Sequence, residues 1–247
     1  MIKDDFTCKG HDGMTIRGKI CRPEGEGRFP AVIFSHGFGS NYRQLIHHGD
    51  LIAEAGIVCV FFDFCGGGLE SESDGTMQEM TLFTEKEDLI NVMKAVRDLP
   101  YVDTDKFFLM GESQGGMVTA MVGAEFCEEV KGLILWYPAF VIPEDSARRI
   151  REGEKGVFGI PLSPDYDKTA VSVDVEKIQK AYEGPVLLLH GDKDPVVPAD
   201  YSRRALDTYP NASLREFIGA GHGFEESDST EACLSSIGFI RDIVKNR

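Results

Sequence analysis

The 247-residue sequence has no apolar run approaching the roughly 18 residues that a membrane-spanning helix needs. Its first ten residues, MIKDDFTCKG, are charged and lack the apolar stretch of a secretory leader. Cysteines are few and scattered, at Cys8, Cys21, Cys59, Cys65, Cys127 and Cys233. No Cys-x-x-Cys pair occurs and no histidine stands at metal-ligand spacing from a cysteine, so a zinc site is not expected. The thiols read as buried or free in a reducing, cytoplasmic setting. Basic residues are in deficit, 26 Lys and Arg against 41 Asp and Glu, for a formal charge of −15. Such a field repels phosphate, which argues against nucleic acid and anionic membrane surfaces as partners. Internal repeats and low-complexity tracts are also missing.

What is present suits one large α/β domain. Alternation in MTIRGKICRP, after the turn signal His11-Asp12-Gly13, predicts an early antiparallel strand pair. Five short, continuously apolar runs follow: PAVIFSHG, IVCVFFDF, KFFLMGES, GLILWYP and GPVLLLHG. Strands apolar on both faces belong in a mostly parallel sheet covered on both sides. Helical stripes lie between them. Leu45, Leu51, Ile52 and Ala55 form one, closed by Gly56. Leu89, Val92, Met93 and Val96 form another, with Thr84-x-x-Glu87 as its capping box. Met117, Ala120, Met121 and Ala124 form a third, and Cys233, Ile237, Ile240 and Val244 a fourth. Alternating strands and helices predict a doubly wound fold with its site at the carboxyl ends of the strands. Residues 138–184 break the rhythm, so the expected organisation is a core of 1–137 and 185–247 with an inserted lid at 138–184.

The chemistry concentrates at a serine. Gly111-Glu112-Ser113-Gln114-Gly115 matches G-x-S-x-G between a strand and a helix, where a strained turn lifts the hydroxyl out of the sheet. A serine hydroxyl needs a base within hydrogen-bond reach. Of six histidines, His222 in GAGHGF follows the last strand-like run, SLREFI, between glycines, and completes the order Ser…Asp…His. His11 falls in a hairpin turn, His47 and His48 on a helix, and His36 and His190 at strand ends, where each serves structure. The orienting acid comes from HGDKDPVVP, which offers Asp192 and Asp194. Asp194, deeper in the loop and just ahead of Pro195, is the choice. The backbone amides of Phe38, in FSHGFGSN, and of Gln114 are the expected oxyanion donors.

Taken together, HGFGSN, DFCGGGLES, GESQGG, HGDKDPVVP and GAGHGF, in this order from about residue 30 onward, resemble the α/β-hydrolase superfamily. Within it, the SHGF segment, the G-x-S-Q-G-G elbow and a lid-sized insertion resemble bacterial cinnamoyl (feruloyl) esterases. Monoacylglycerol lipase-like proteins share much of this pattern. The resemblance implies an α/β-hydrolase fold, Ser113 as nucleophile, Asp194 as acid, His222 as base, and the Phe38 and Gln114 amides as the oxyanion hole. It implies no cofactor and no metal. Two departures stand out: Gly66-Gly67-Gly68 replaces the family's Gly-His-Gly, and Glu112 stands where many esterases carry histidine. The insertion holds no recognisable phenol-binding signature, although Tyr166, Asp165 and Phe140 could contribute. The expected activity is hydrolysis of small or medium carboxylic esters, hydroxycinnamates first. A monoacylglycerol lipase-like esterase, an oligopeptidase-type serine peptidase and a catalytically silent hydrolase-fold binding protein are the rival readings.

Overall fold

The computed structural model describes residues 1–245. Ten strands form: β1 (Ile2–Lys9), β2 (Thr15–Arg22), β3 (Phe29–Ser35), β4 (Val58–Phe62), β5 (Val102–Glu112), β6 (Gly132–Trp136), β7 (Gly156–Val157), β8 (Ile160–Pro161), β9 (Val186–Gly191) and β10 (Ala212–Phe217). Eight of them build one sheet in the order β1-β2-β4-β3-β5-β6-β9-β10, while β7 and β8 pair as a separate small hairpin. Strands β3 to β6, β9 and β10 pair in parallel, and β2 runs antiparallel to β1 and β4. The antiparallel start and the parallel body both match the expectation from strand patterning.

Burial explains why the central strands read as continuous apolar runs. Ile33, Val60, Leu109, Leu135 and Leu188 pack into one core, and Phe34, Phe61, Met110, Trp136 and Leu189 into another on the opposite face. Helices α1 (Gly49–Glu54), α2 (Leu82–Arg97) and α3 (Ser113–Glu125) follow the early strands. Then come α4 (Ile142–Glu152), α5 (Tyr166–Ala170), α6 (Val175–Ala181), α7 (Asp200–Thr208) and α8 (Glu226–Lys245). Helices α2 and α3 bury Leu89, Val92 and Val118 in the first core, and α1 and α8 bury Ile52, Cys233 and Ile237 in the second. Each face of the sheet thus has its cover, as a parallel sheet requires.

The structure departs from the sequence pattern at two helices. Helix α2 begins one turn earlier than Thr84-x-x-Glu87 suggests. Thr81 is its N-cap: the Thr84 N–H donates to the Thr81 hydroxyl oxygen, and the Thr81 N–H donates to that of Thr84. Two threonines close the box, and Leu82 is already buried inside the helix. The stripe from Leu45 to Ala55 is no single helix but a short 3-10 turn, Ile46–His48, leading into α1; a second such turn, Tyr42–Gln44, precedes it.

The interval 138–184 carries α4, the β7–β8 hairpin, α5 and α6. Adjacent parallel strands such as β6 and β9 need a crossover, and this interval supplies it. Phe140, Tyr166, Ala170 and Tyr182 lie within the main core. Arg149 of α4 is buried and pairs with Asp167 of α5 at 2.7 Å, fixing the two helices together. The hairpin stands apart: Phe158, at its tip, is 73% exposed.

Candidate active site

Strand β5 runs directly into α3 at Ser113, whose φ of +48° places it in the left-handed region. That conformation is costly for a residue with a Cβ, and such strain gathers at functional turns. The flanking glycines have a steric cause. A Cβ at Gly115 would collide with the carbonyl oxygens of Ser35 and His36, and one at Gly111 with the carbonyl of Gly115. The elbow therefore sits hard against the end of β3, and only glycine lets the two segments meet.

His222 reaches Ser113 from the loop after β10. Its Nε2 lies 3.0 Å from the Ser113 Oγ, and its Nδ1 lies 2.7 Å from Asp194 Oδ2. With the proton on Nδ1, the ring donates to the carboxylate and accepts from the serine hydroxyl. Asp194 follows β9, and its side chain is fully covered. Burial pushes the Asp194 carboxyl up, but hydrogen bonds from His190, His222 and the Val197 N–H outweigh it and hold the group well below the carboxylate range. Its Oδ1 accepts the Val196 and Val197 N–H groups, each at 2.8 Å. Asp192 points elsewhere, accepting the Gly219 N–H at 2.5 Å and bracing the turn ahead of His222.

Phe38 lies in the loop after β3, beside the elbow: a Cβ on neighbouring Gly37 would be 3.2 Å from the Ser113 Cβ. Gln114 lies in the first turn of α3, where backbone N–H groups have no intrahelical acceptor. The Gln114 side chain turns inward and is buried. Its Nε2 donates to Glu85 Oε2 at 2.9 Å, and its Oε1 accepts the Tyr166 hydroxyl at 2.5 Å. Burial raises the Glu85 carboxyl to about 8, against the opposing pull of the Gln114 hydrogen bond.

A cleft of about 310 Å³ opens at Ser113, with Phe38, Trp136, Tyr137, Phe158 and Phe224 among its walls and Gln44, His47 and Ser229 farther along. The Phe158 ring centroid is 6.3 Å from that of Phe38. Phe140, Asp165 and Tyr166 do not line this cleft. Phe140 and Tyr166 are core residues, and Asp165 is exposed and paired with Lys168. Among residues 138–184, it is the hairpin that reaches the cleft.

Four of the remaining histidines serve structure, two of them more deeply than turn or helix positions suggest. His11 is buried, and its Nδ1 and backbone N–H both lie 2.8 Å from Asp88 Oδ1. With Cys65 these groups cluster within 4.8 Å, and the Cys65 N–H takes the other Asp88 oxygen at 2.8 Å. Asp88 thus acts as a brace between the first hairpin, the glycine-rich loop and α2. His48 is buried beside Trp136, with Nε2 3.0 Å from the Ser229 hydroxyl. His36 accepts the Phe64 N–H on Nε2 at 3.1 Å, and His190 bonds Ser202 and the Val197 carbonyl. All six cysteines are free. Among the described residues, no helix is long and apolar enough to cross a membrane.

The profile of the serine aminopeptidase S33 family matches residues 28–163, more than half of the chain. The chain belongs to that family. A second profile, described as TAP-like protein, matches residues 166–237 of this S33-family hydrolase. The chain is 24% identical over 202 residues to the uncharacterized peptidase YtmA of Bacillus subtilis, covering 79% of this chain and 75% of that one. It is 26% identical over 203 residues to human mitochondrial palmitoyl-protein thioesterase ABHD10, covering 74% of this chain and 62% of the relative, somewhat less than two thirds of its length. Among solved structures, the ferulic acid complex of Est1E from Butyrivibrio proteoclasticus superposes with a TM-score of 0.84, at 24% identity, over 95% of this chain and 97% of that one. The S33-family protein is thus an α/β-hydrolase whose relatives include esterase, thioesterase and peptidase members.

Two residues at the site escaped the sequence reading. Tyr137, at the end of β6, has φ +35°, and its ring meets His222 edge-on at 4.9 Å. Its position just before Pro138 is the one available signal, because proline restricts the preceding residue. Glu85 carries no signal at all, being one acidic residue among several on α2.

Proposed function

We propose that this hydrolase is a serine carboxylester hydrolase for small or medium esters, with hydroxycinnamate esters foremost. The observation that carries the reading is the unbroken chain from Ser113 Oγ through His222 to a buried, ionised Asp194. In the reaction, Ser113 Oγ attacks the ester carbonyl while His222 Nε2 takes its proton. Asp194 stabilises the imidazolium that forms. The Phe38 and Gln114 N–H groups bind the developing oxyanion, each worth about 10²–10³ in rate. His222 then protonates the departing alcohol, and a water activated by the same ring releases the acid. No cofactor takes part. The aromatic walls of the cleft suit an aryl acyl group, and the likeness to Est1E supports that preference.

The family description favours a second reading, amide hydrolysis by an aminopeptidase. A panel of p-nitrophenyl esters of graded chain length, run beside methyl ferulate and an aminoacyl anilide, separates the two. The expected ranking places methyl ferulate above long-chain esters and the anilide, with Ser113→Ala removing about 10⁶ of kcat. A preference for the anilide would overturn the esterase reading.

A further inference from the structure

Glu112 is the acidic residue of the elbow, where the resemblance leads one to expect histidine. It is also the N-cap of α3, yet its side chain makes no cap hydrogen bond. An N-cap side chain ordinarily accepts from the second or third N–H of its helix. Here the second is that of Gln114, the proposed oxyanion donor. The Glu112 carboxylate is turned away from it. Oε2 accepts the Tyr137 hydroxyl at 2.6 Å, and Oε1 accepts the Gly37 N–H at 3.2 Å.

These two bonds lead to different parts of the site. Gly37 immediately precedes Phe38, so its anchor sets the loop that carries the other oxyanion donor. Tyr137 packs edge-on against His222 and against Phe224, with ring centroids 4.9 Å apart in each case. Tyr137 thus links Glu112 to the loop that carries the base. We infer that Glu112 is a positioning residue: through Gly37 and Tyr137 it holds the oxyanion loop and the His222 loop in register with Ser113, and it keeps its own carboxylate off the Gln114 N–H. A misplacement of about 1 Å in such a constellation costs about 10²-fold in rate.

The inference rests on the Ser113 mechanism proposed above, and fluorophosphonate labelling keeps the two apart. The probe phosphonylates an activated serine whatever the natural substrate. The second-order labelling constant and the final labelled fraction are measured for the parent, Glu112→Gln, Tyr137→Phe and the double variant, with intact mass and peptide mapping to place the adduct. A glutamine cannot accept from both Gly37 and Tyr137, because its amide nitrogen only donates. The expected result is a parent labelled at Ser113 and a labelling constant about 10- to 100-fold lower in each single variant at full final labelling. The double variant should fall no further than the worse single, since the residues act as one unit. With p-nitrophenyl acetate the loss should lie in kcat, with KM held.

Constants equal to that of the parent in both single variants would overturn the inference. So would a reduced labelled fraction with an unchanged constant, which is the mark of a merely structural role. A parent that does not label at Ser113 would overturn the hydrolase mechanism, and the inference with it. If Glu112→Gln does not fold, Tyr137→Phe carries the test, because it deletes one oxygen and leaves the ring packing in place.

Discussion

The Tyr166 hydroxyl donates to Gln114 Oε1 at 2.5 Å, in the interior of the protein, and joins the segment between β6 and β9 to the residue beside Ser113. Gln114 is held from its other side by Glu85. The residue whose backbone N–H is the proposed oxyanion donor is therefore gripped by its side chain from two directions. Removing the phenol oxygen leaves a buried acceptor without a partner, at a cost of about 1–3 kcal/mol. Tyr166→Phe should lower stability by that amount in a denaturant titration. It should also reduce kcat on p-nitrophenyl acetate with KM unchanged, because the acyl-binding walls are untouched.

Asp194→Asn should be far more damaging than Asp192→Asn. Loss of the Asp194 charge leaves the imidazolium unsupported, and a comparable change in a serine protease costs about 10⁴ in kcat. Asp192 holds the Gly219 N–H, which an asparagine oxygen can still accept, so the change should cost about 1 kcal/mol or less. Steady-state kinetics and thermal melts on both variants check the ordering.

Glu85 makes stability depend on pH in a defined window. Its carboxyl is raised to about 8 in the folded protein, chiefly by burial and further by nearby Asp88, with Gln114 opposing. An unfolded glutamate titrates near 4.3. Between these values the folded state holds a proton that the unfolded state has lost, so stability falls as pH rises. The contribution is fully present below about pH 4.3 and gone once pH passes about 8. Glu85→Gln should flatten the decline of Tm between pH 5 and 8 relative to the parent, measured by calorimetry across that range.

Phe158 is expected to select among acyl groups. It is exposed at the hairpin tip, faces Phe38 across the cleft and holds φ +51°. Phe158→Gly relaxes that backbone and deletes the ring. An aromatic contact of this kind is worth about 0.5–1.5 kcal/mol. The variant should therefore raise KM for methyl ferulate about 2- to 10-fold and leave p-nitrophenyl acetate unchanged. Replacing all of 138–184 is a poor test of the lid, because Phe140, Tyr166 and Tyr182 belong to the main core.

Much of this protein is written in local pattern. Strands buried on both faces must be apolar at every position, which is why PAVIFSHG, IVCVFFDF and GPVLLLHG announce a covered parallel sheet. Ser113 announces itself because a left-handed elbow packed on β3 excludes side chains at Gly111 and Gly115. His222 and the choice of Asp194 over Asp192 follow from loop position and chain order, and the hydrogen bonds join the same three side chains. What tertiary structure alone decided is the set of partners that chain distance hides. Glu112 meets Tyr137 from 25 residues away, Gln114 meets Tyr166 from 52, and His11 meets Asp88 from 77. Periodicity and capping rules report on a few neighbouring residues. They say nothing of which polar groups must share a buried space once the sheet is closed on both faces, and that requirement gives Glu112, Tyr137 and Glu85 their places at the site.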